Sequence, residues 1–235
     1  INGDDPLTNP LVPGTVTQKS FSLGDPDVGQ FGLREEAGTP WMVQGLKPIL
    51  AVNKLAMFGR HNVANALAAL ALGQAVGLPM EAMTKTLTVF TGLSHRCEWV
   101  ADIDGVAYIN DSKGTNIGAT VAALEGLGPA LTGKIMLIAG GLGKGADFSE
   151  LVAPLSRYGK QVVLIGRDAN DIEMALVGKV RCIHAQDMQS AVSIAHAQAV
   201  SGDLVLLSPA CASFDAYANF EARGDHFSAL VRALA

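Results

Sequence analysis

The sequence has few of the features that mark membrane, secreted or metal-binding proteins. Its apolar runs, such as residues 135–139 and 204–207, are much shorter than the roughly 20 residues needed to cross a bilayer. Residues 1–5 lack the basic and then apolar pattern of a signal peptide. The cysteines Cys97, Cys182 and Cys211 stand far apart and form no CxxC pair. These absences predict a cytoplasmic protein with reduced thiols.

Charge is also scarce, at 17% of the residues, and the formal net charge is -5. Sequence-independent binding to nucleic acid requires many neutralised phosphates, and this acidic chain has no basic run to supply them. We therefore expect neither a nucleic-acid nor a membrane partner. A few lysines and arginines around a single nucleotide remain compatible with this composition. The 49% of hydrophobic residues is sufficient for a folded core.

The pattern of the chain changes near residue 94. Before it, short β-like segments (15–21, 41–44 and 49–52) precede two helical stretches at 62–76 and 79–90. After it, apolar strands alternate with helices; strands are predicted at 106–109, 135–139, 162–165, 182–183 and 204–207, and helices at 116–127, 148–155, 168–175, 187–200 and 225–235. This alternation predicts an α/β fold with a mostly parallel sheet covered on both faces. We interpret residues 95–235 as a complete Rossmann-like domain and residues 1–94 as an incomplete domain.

Three polar, glycine-containing loops follow predicted strands. They are the Lys113 loop (residues 110–116), the Lys144 loop (140–145) and the Ser213 loop (208–215). Ligands of open parallel sheets bind beyond the carboxyl ends of the strands. We therefore expect the three loops to meet at one edge of the sheet and to form the site.

The Lys113 loop has two interpretations. Lys113 and the backbone N–H groups of the following helix would attract an anion, while Asp111 could accept hydrogen bonds from ribose hydroxyls. Alternatively, Ser112 or Thr115 caps the helix and Lys113 is solvated. Both interpretations stay open at this level.

The Lys144 loop resembles a phosphate-binding P-loop but fails its spacing. Ile138 stands where the first glycine belongs, and Gly145 replaces the Ser or Thr after the lysine. Lys144 could still be a point charge for a carboxylate or phosphate, with a solvated lysine as the alternative.

The Ser213 loop could suggest a hydrolase nucleophile, but it has no Gly-x-Ser-x-Gly pattern and no suitably ordered His and acid. We reject that function and interpret Ser213 as a hydrogen-bond donor to a bound carboxylate. Phe214 and Phe220 are equally compatible with a place in the core.

Two further polar groups lie upstream. Asn62 and Asn65 share a helix face at i, i+3 and could either cap the helix or contact a base. His95 and Arg96 lie where the two predicted domains join, and an arginine there could clamp phosphate or be solvated.

The segments considered together resemble the Mur ligase family, in particular its D-glutamate-adding branch. The matching stretches are 2–5, 59–62 with 65–69, 90–96, 110–116, 140–144 with 146–148, and 208–215. Their order and spacing cover nearly the whole chain. The loops Asp-Ser-Lys-Gly-Thr-Asn and Ser-Pro-Ala-Cys-Ala-Ser are the more specific motifs.

The resemblance implies an ATP-dependent acid–amino-acid ligase of peptidoglycan precursor synthesis. Its substrates would be ATP, UDP-N-acetylmuramoyl-L-alanine and D-glutamate, joined through an acyl phosphate. It further implies that residues 1–94 are the second part of a central ATP-binding domain and that 95–235 bind the amino acid. We expect a cytoplasmic monomer.

The resemblance also assigns individual residues. ATP would be bound by Asn62, Asn65, His95, Arg96, Asp111 and Lys113, and D-glutamate by Thr115, Lys144, Ser213, Phe214 and Phe220. Lys113 and Lys144 would be catalytic. Leu142 departs from the acidic residue of some relatives and receives no role.

No metal ligand is assigned in this chain, because the Mg²⁺ ligands and the Walker A loop are expected upstream of Ile1. The chain by itself is therefore expected to be inactive. Two alternatives stay open: a folylpolyglutamate synthase-type ligase, and a noncatalytic nucleotide-binding module.

Overall fold

The computed structural model describes residues 1–11 and 15–234. The chain forms two compact units, residues 1–91 and 92–235, so the break lies just before the predicted one at 94. Each unit has its own sheet.

The first unit contains an antiparallel three-stranded sheet, ordered β1 (Phe31–Glu36), β2 (Thr39–Gln44) and β3 (Lys47–Ala51). Two helices follow, α1 (Arg60–Ala75) and α2 (Met80–Leu87). Their apolar sides pack on the sheet around Phe31, Met42, Leu67, Leu70 and Leu87. The predicted helices and the two later β segments are therefore present.

The predicted strand at 15–21 is wrong. Only Phe21 makes bridges, to Asn2 and Phe31, and the rest of that segment has no ladder partner. The missed strand is β1, whose sequence Phe-Gly-Leu-Arg-Glu-Glu contains residues that are rare in strands. It is extended because it pairs along its whole length with β2, from Phe31–Gln44 to Glu36–Thr39.

The second unit is built on a six-stranded sheet. Its strands are β4 (Glu98–Ile103), β5 (Val106–Asn110), β6 (Ile135–Gly140), β7 (Gly159–Ile165), β8 (Cys182–His184) and β9 (Leu204–Leu207). Its helices are α3 (Ile117–Leu127), α4 (Val152–Tyr158), α5 (Ala169–Leu176), α6 (Met188–Gln198) and α7 (Phe220–Arg232). The sheet order is β4-β5-β9-β6-β7-β8, parallel except for the β4–β5 pair. The predicted α/β class with a mostly parallel sheet is confirmed.

The continuous apolar strands result from burial on both faces of this sheet. In β6, Leu137 joins the core on the side of α3 to α5, whereas Ile138 joins the core on the side of α6 and α7. Leu206 and Leu207 of β9 divide in the same way. Successive side chains of a strand point to opposite faces, so a strand covered on both sides needs apolar residues throughout.

Two elements of this unit differ from the sequence prediction. The strand β4 was missed, and it forms the antiparallel edge next to β5. Helix α7 begins at Phe220, five positions before the predicted residue 225. The Asn219 side chain caps it by accepting a hydrogen bond from Ala222 N at 2.7 Å. The predicted helix end at Ala235 lies outside the described residues.

Helix α7 also contains a glycine whose missing side chain is required by the fold. A Cβ added at Gly224 would lie 2.3 Å from His95 Nδ1 and 3.0 Å from the amide atoms of Asn110. We expect Gly224→Ala to lower the free energy of unfolding by about 1–2 kcal/mol, because overpacking outweighs the gain in helix propensity. The measurement is urea unfolding of the chain.

The matched control is Gly118→Ala in α3, where an added Cβ would meet only Asn116 Oδ1 at 3.6 Å. This variant is expected to gain roughly 0.5–1 kcal/mol from helix propensity. Equal effects of the two substitutions would contradict the close approach of α7 to His95.

Candidate functional site

The three polar loops are bonded to one another at the carboxyl edge of the second sheet. Ala210 N of the Ser213 loop donates to Gly114 O of the Lys113 loop at 2.9 Å. Leu142 N donates to Ala212 O at 2.9 Å, and Ala212 N donates to Leu142 O at 3.0 Å. These bonds confirm the expectation that the three loops meet at one edge. The Ser213 loop lies between the other two, because β9 lies between β5 and β6.

A buried arginine, Arg223, fixes two of these loops together. Its Nε donates to Ser112 Oγ at 3.0 Å and its Nη2 to Ser112 O at 2.9 Å, while both Nη atoms donate to Cys211 O at 3.1 Å. The residue is only 1% exposed, and burial lowers its pKa to about 10, so it stays charged at neutral pH. Within the described residues no carboxylate lies within 4.0 Å of it, so main-chain carbonyls solvate the charge.

Asn110, the last residue of β5 and the first of the Lys113 loop, connects this loop to α7. Its amide donates to Gly224 O at 3.1 Å and Ser228 Oγ at 3.0 Å, and it lies 3.0 Å from His95 Nδ1. Its Oδ1 accepts from Ser112 N at 3.1 Å. Asn110 is fully buried and connects β5, α7 and the segment of His95.

Asp111, an expected ATP ligand, has its carboxylate directed into the loop framework. Ser208 Oγ donates to Oδ2 at 2.7 Å, and Cys97 N donates to Oδ1 at 3.2 Å. The residue is 7% exposed, and burial raises its pKa to about 6 from the ordinary 3.8. Two hydrogen bonds do not offset the cost of removing the carboxylate from water.

This burial gives the fold a defined pH dependence. The folded chain binds the Asp111 proton more tightly than the unfolded chain, so the contribution of Asp111 is most favourable below pH 3.8 and is lost as the pH rises through about 6. By linkage the loss reaches at most about 3 kcal/mol. We expect Asp111→Asn, which keeps an acceptor for Cys97 N, to become progressively more stable than the parent between pH 4 and 8 in urea unfolding.

Asp203 provides a control of opposite sign. Burial acts to raise its pKa, but hydrogen bonds from Lys160, Lys134 N and Val200 N together lower it below 3.8. Asp203 therefore stabilises the fold above the unfolded-state pKa and loses this contribution as the pH falls through its folded pKa. Asp203→Asn is expected to be destabilising at pH 7, and a stability profile parallel to that of Asp111→Asn would contradict both assignments.

Lys113 lies against an aromatic ring rather than in open solvent. Its Nζ is 4.1 Å from the centroid of the Phe220 ring, and that ring meets His95 edge-on at 6.0 Å between centroids. Lys113 N also donates to His95 O at 3.0 Å. Phe220 therefore orients the ammonium group by a cation–π contact, a position it owes to the early start of α7.

The helix-capping interpretation of the Lys113 loop named the wrong residues. Asn116 caps α3, because its Oδ1 accepts from Ala119 N at 2.9 Å. Ser112 Oγ instead donates to Phe220 O at 2.8 Å. Thr115 is half-buried, and its N–H donates to Lys113 O at 2.7 Å.

Lys144 is exposed at the tip of a tight turn. The turn spans 143–146 and is closed by Ala146 N donating to Gly143 O at 3.2 Å. Both central residues have positive φ, 57° for Lys144 and 72° for Gly145. This is the pattern of a type I′ turn, which favours Gly, Asn or Asp, so a lysine at its first central position is under strain.

The other residues expected to contact D-glutamate occupy different environments. Ser213 is 3% exposed, and its carbonyl accepts from Ala216 N and Tyr217 N. Phe214 is 67% exposed and lines an open groove of about 480 Å³ with Leu142, Arg167 and Asp215. Phe214 is therefore outside the core, which leaves it accessible to a ligand.

Backbone strain is concentrated near these loops. Among the described residues, the non-glycine residues with positive φ are Ala37 and Asp104 in hairpin turns, and His95, Cys97, Lys144 and Ala210 in or beside the polar loops. Strained conformations persist where the surroundings enforce them, and they are enriched at functional sites.

The remaining candidates for ATP are Asn62 and Asn65 in the first unit, and Arg96 in the second. Asn62 Nδ2 donates to Phe58 O at 2.7 Å, and Asn65 Nδ2 donates to Asn62 Oδ1 at 3.2 Å. Gly59 is the N-cap of α1, so neither asparagine caps the helix as the alternative interpretation required. Arg96 is exposed.

Within residues 1–11 and 15–234 there is no cluster of three or more His, Cys, Asp or Glu side chains arranged to hold a metal ion. Over the same residues, no helix is long and apolar enough to cross a membrane.

Sequence reasoning missed Arg223 and Asn110. Arg223 lay in a segment interpreted as loop, and an isolated arginine is normally solvated. The available signal was Gly224 beside it, since a glycine within a helix indicates a close approach. Asn110 had no such signal, because its contacts with α7, to Gly224 O and Ser228 Oγ, come from residues more than 100 positions away.

The chain belongs to the Mur ligase family. Residues 95–211 match the family model described as Mur ligase, glutamate ligase domain. Among curated proteins, it is similar to the UDP-N-acetylmuramoylalanine–D-glutamate ligases of Nitrosococcus oceani (53% identical over 99% of this chain and 51% of that protein) and Acinetobacter baylyi (50% identical over 99% and 53%). The chain spans about half the length of the curated relatives it matches.

Solved structures show the same fold at low sequence identity. Folylpolyglutamate synthase of Mycobacterium tuberculosis, complexed with ADP and AMPPCP, matches with a TM-score of 0.64 and 14% identity, covering 91% of this chain and 56% of that one. UDP-N-acetylmuramate–alanine ligase of Thermotoga maritima matches with a TM-score of 0.60 and 14% identity, covering 92% and 48%. These likenesses concern the fold alone.

Proposed function

We propose that this chain forms the acceptor-binding half of an ATP-dependent ligase that joins D-glutamate to UDP-N-acetylmuramoyl-L-alanine in the cytoplasm. The observation that carries the proposal is the bonded set of three loops at one sheet edge, which includes Lys113, the exposed Lys144 and the buried Ser213. The 53% identity to a D-glutamate ligase over 99% of the chain favours these substrates over those of a folylpolyglutamate synthase-type ligase.

In this proposal the chain positions an amine nucleophile near an activated carbonyl. Lys144 neutralises a carboxylate of D-glutamate, Ser213 and Thr115 hydrogen-bond to it, and Phe214 and Phe220 enclose its methylene chain. Lys113 stabilises the negative charge that develops when the amine attacks. Positioning and charge stabilisation are sufficient for this role, and the loops need supply no general base.

ATP, bound as a substrate, supplies the phosphoryl group that activates the alanyl carboxylate as an acyl phosphate. Lys113 supports this role as a cation for a phosphate, because the Phe220 ring orients its ammonium group. We assign His95, Arg96 and Asp111 to the same nucleotide. The assignment of Asn62 and Asn65 to adenine, which the family resemblance implies, stays a prediction. The buried Asp111 carboxylate supports the loop at the same time.

The described residues do not fit Mg²⁺, because they contain no suitable cluster of ligands. We therefore derive no step through a metal ion. Because the chain spans about half the length of the curated relatives it matches, we expect that it does not turn over by itself.

The test is phosphate release from the intact enzyme that contains this chain, measured with ATP and UDP-N-acetylmuramoyl-L-alanine. Release that requires D-glutamate, and is absent with L-glutamate or when a folate replaces UDP-N-acetylmuramoyl-L-alanine, is the expected result. Nucleotide binding without amino-acid-dependent release would support a noncatalytic module instead. Turnover by residues 1–235 alone would contradict the division of labour.

A further inference from the structure

Asp168 occupies the N-cap position of α5 but does not cap that helix. No side-chain cap hydrogen bond is made there, although aspartate is among the residues that cap most effectively. Its Oδ2 instead accepts a hydrogen bond from Gly143 N at 2.7 Å. The carboxylate is thus diverted from its own helix to the Lys144 loop, 25 positions away in sequence.

The main chain of Asp168 holds the same loop a second time. Asp168 N donates to Gly141 O at 3.0 Å, so one residue bonds to the loop on both sides of Leu142. Leu142 itself is bonded in both directions to Ala212. The entrance to the Lys144 turn is therefore fixed from two directions.

This support has a structural reason in the turn that follows. Gly143 is the first residue of the turn. Lys144, next to it, has a φ of 57°, which is unfavourable for residues with a Cβ. A Cβ at position 143 would lie 2.8 Å from Phe148 Cζ, so the loop is also confined from below. Without the bond from Gly143 N, Lys144 could relax to negative φ, and its ammonium would point elsewhere.

We propose that Asp168 is a positioning residue that holds the Lys144 turn in the strained conformation aiming the lysine at the carboxylate of the acceptor amino acid. The proposal rests on the function proposed above. Asp168 acts through the hydrogen bond to Gly143 N and does not touch the acceptor.

The experiment uses the intact enzyme and steady-state kinetics with D-glutamate. We expect Asp168→Ala to raise the KM for D-glutamate on the order of tenfold and to leave the KM for ATP unchanged. Asp168→Asn keeps an oxygen acceptor for Gly143 N and should stay within about twofold of the parent. Asp171→Ala is the matched control, since it removes a carboxylate from the first turn of the same helix.

A double-mutant cycle separates this proposal from the function beneath it. If Asp168 acts through Lys144, then Asp168→Ala has no further effect on the KM for D-glutamate once Lys144→Ala is present. An unchanged KM for D-glutamate in Lys144→Ala would refute the proposed function itself.

Several results would overturn the positioning role alone. One is a raised KM in Lys144→Ala together with an unaffected Asp168→Ala. Another is an Asp168→Asn variant as impaired as Asp168→Ala, since that would show a role of charge. A loss in Asp168→Ala that extends to the KM for ATP would indicate a general structural defect.

Discussion

Replacing Arg223 with methionine is expected to lower the free energy of unfolding of the chain by about 3–5 kcal/mol. Methionine fills a similar space but leaves Ser112 O and Cys211 O without the donors that satisfy them. Buried polar groups that lose their partners keep the full cost of desolvation. Urea unfolding followed by circular dichroism measures the change.

Two variants define what this experiment tests. Arg223→Lys keeps a charge but not the planar fork, so it should recover only part of the loss. Arg232→Met, in the exposed last turn of the same helix, should change stability by less than about 0.5 kcal/mol. If Arg223→Met lost under 1 kcal/mol, the guanidinium could not be the main connection between the Lys113 and Ser213 loops.

The second large effect is expected at Lys144. In the intact enzyme Lys144→Ala should raise the KM for D-glutamate about a hundredfold or more, because it leaves a substrate carboxylate without its cation. The KM for ATP should change much less. Lys179→Ala, at an exposed lysine after α5, serves as the control for removing a positive charge.

Lys144→Gly adds a signature that a solvated lysine would not give. Glycine adopts a φ of 57° without strain, so this variant should gain about 1 kcal/mol of stability while losing acceptor binding. Opposite changes in stability and activity are characteristic of strain retained for function. Loss of stability in Lys144→Gly would contradict this account of the turn.

The two predictions concern a buried and an exposed part of the same site. Arg223 and Asn110 hold the framework from beneath, and their contacts are buried. Lys144 and Phe214 are exposed above it and are available to a ligand. Substitutions of the framework should therefore lower stability first, whereas substitutions of the exposed residues should weaken ligand binding without lowering stability.

Local patterns predicted the parallel strands, because a strand buried on both faces requires an uninterrupted apolar run, as in Leu204–Leu207. The edge strand β4 lacked such a run, and pairing with β5 determines its conformation. The predicted start of α7 was wrong, because the Asn219 side chain caps the helix and it begins at Phe220 instead of residue 225. As a result, the contact between Phe220 and Lys113 was not predicted, because it depends on where the helix begins.

The sequence by itself determined the fold class and the three loops, since strand burial and loop chemistry are properties of contiguous residues. It also carried the family resemblance in motifs such as residues 110–116 and 208–215. Only the tertiary structure decided that Asp111 is buried, that Arg223 joins two loops and that Asp168 supports the Lys144 turn. The physical reason is that burial and hydrogen-bond partners depend on residues far apart in the chain, and a local pattern carries no information about them.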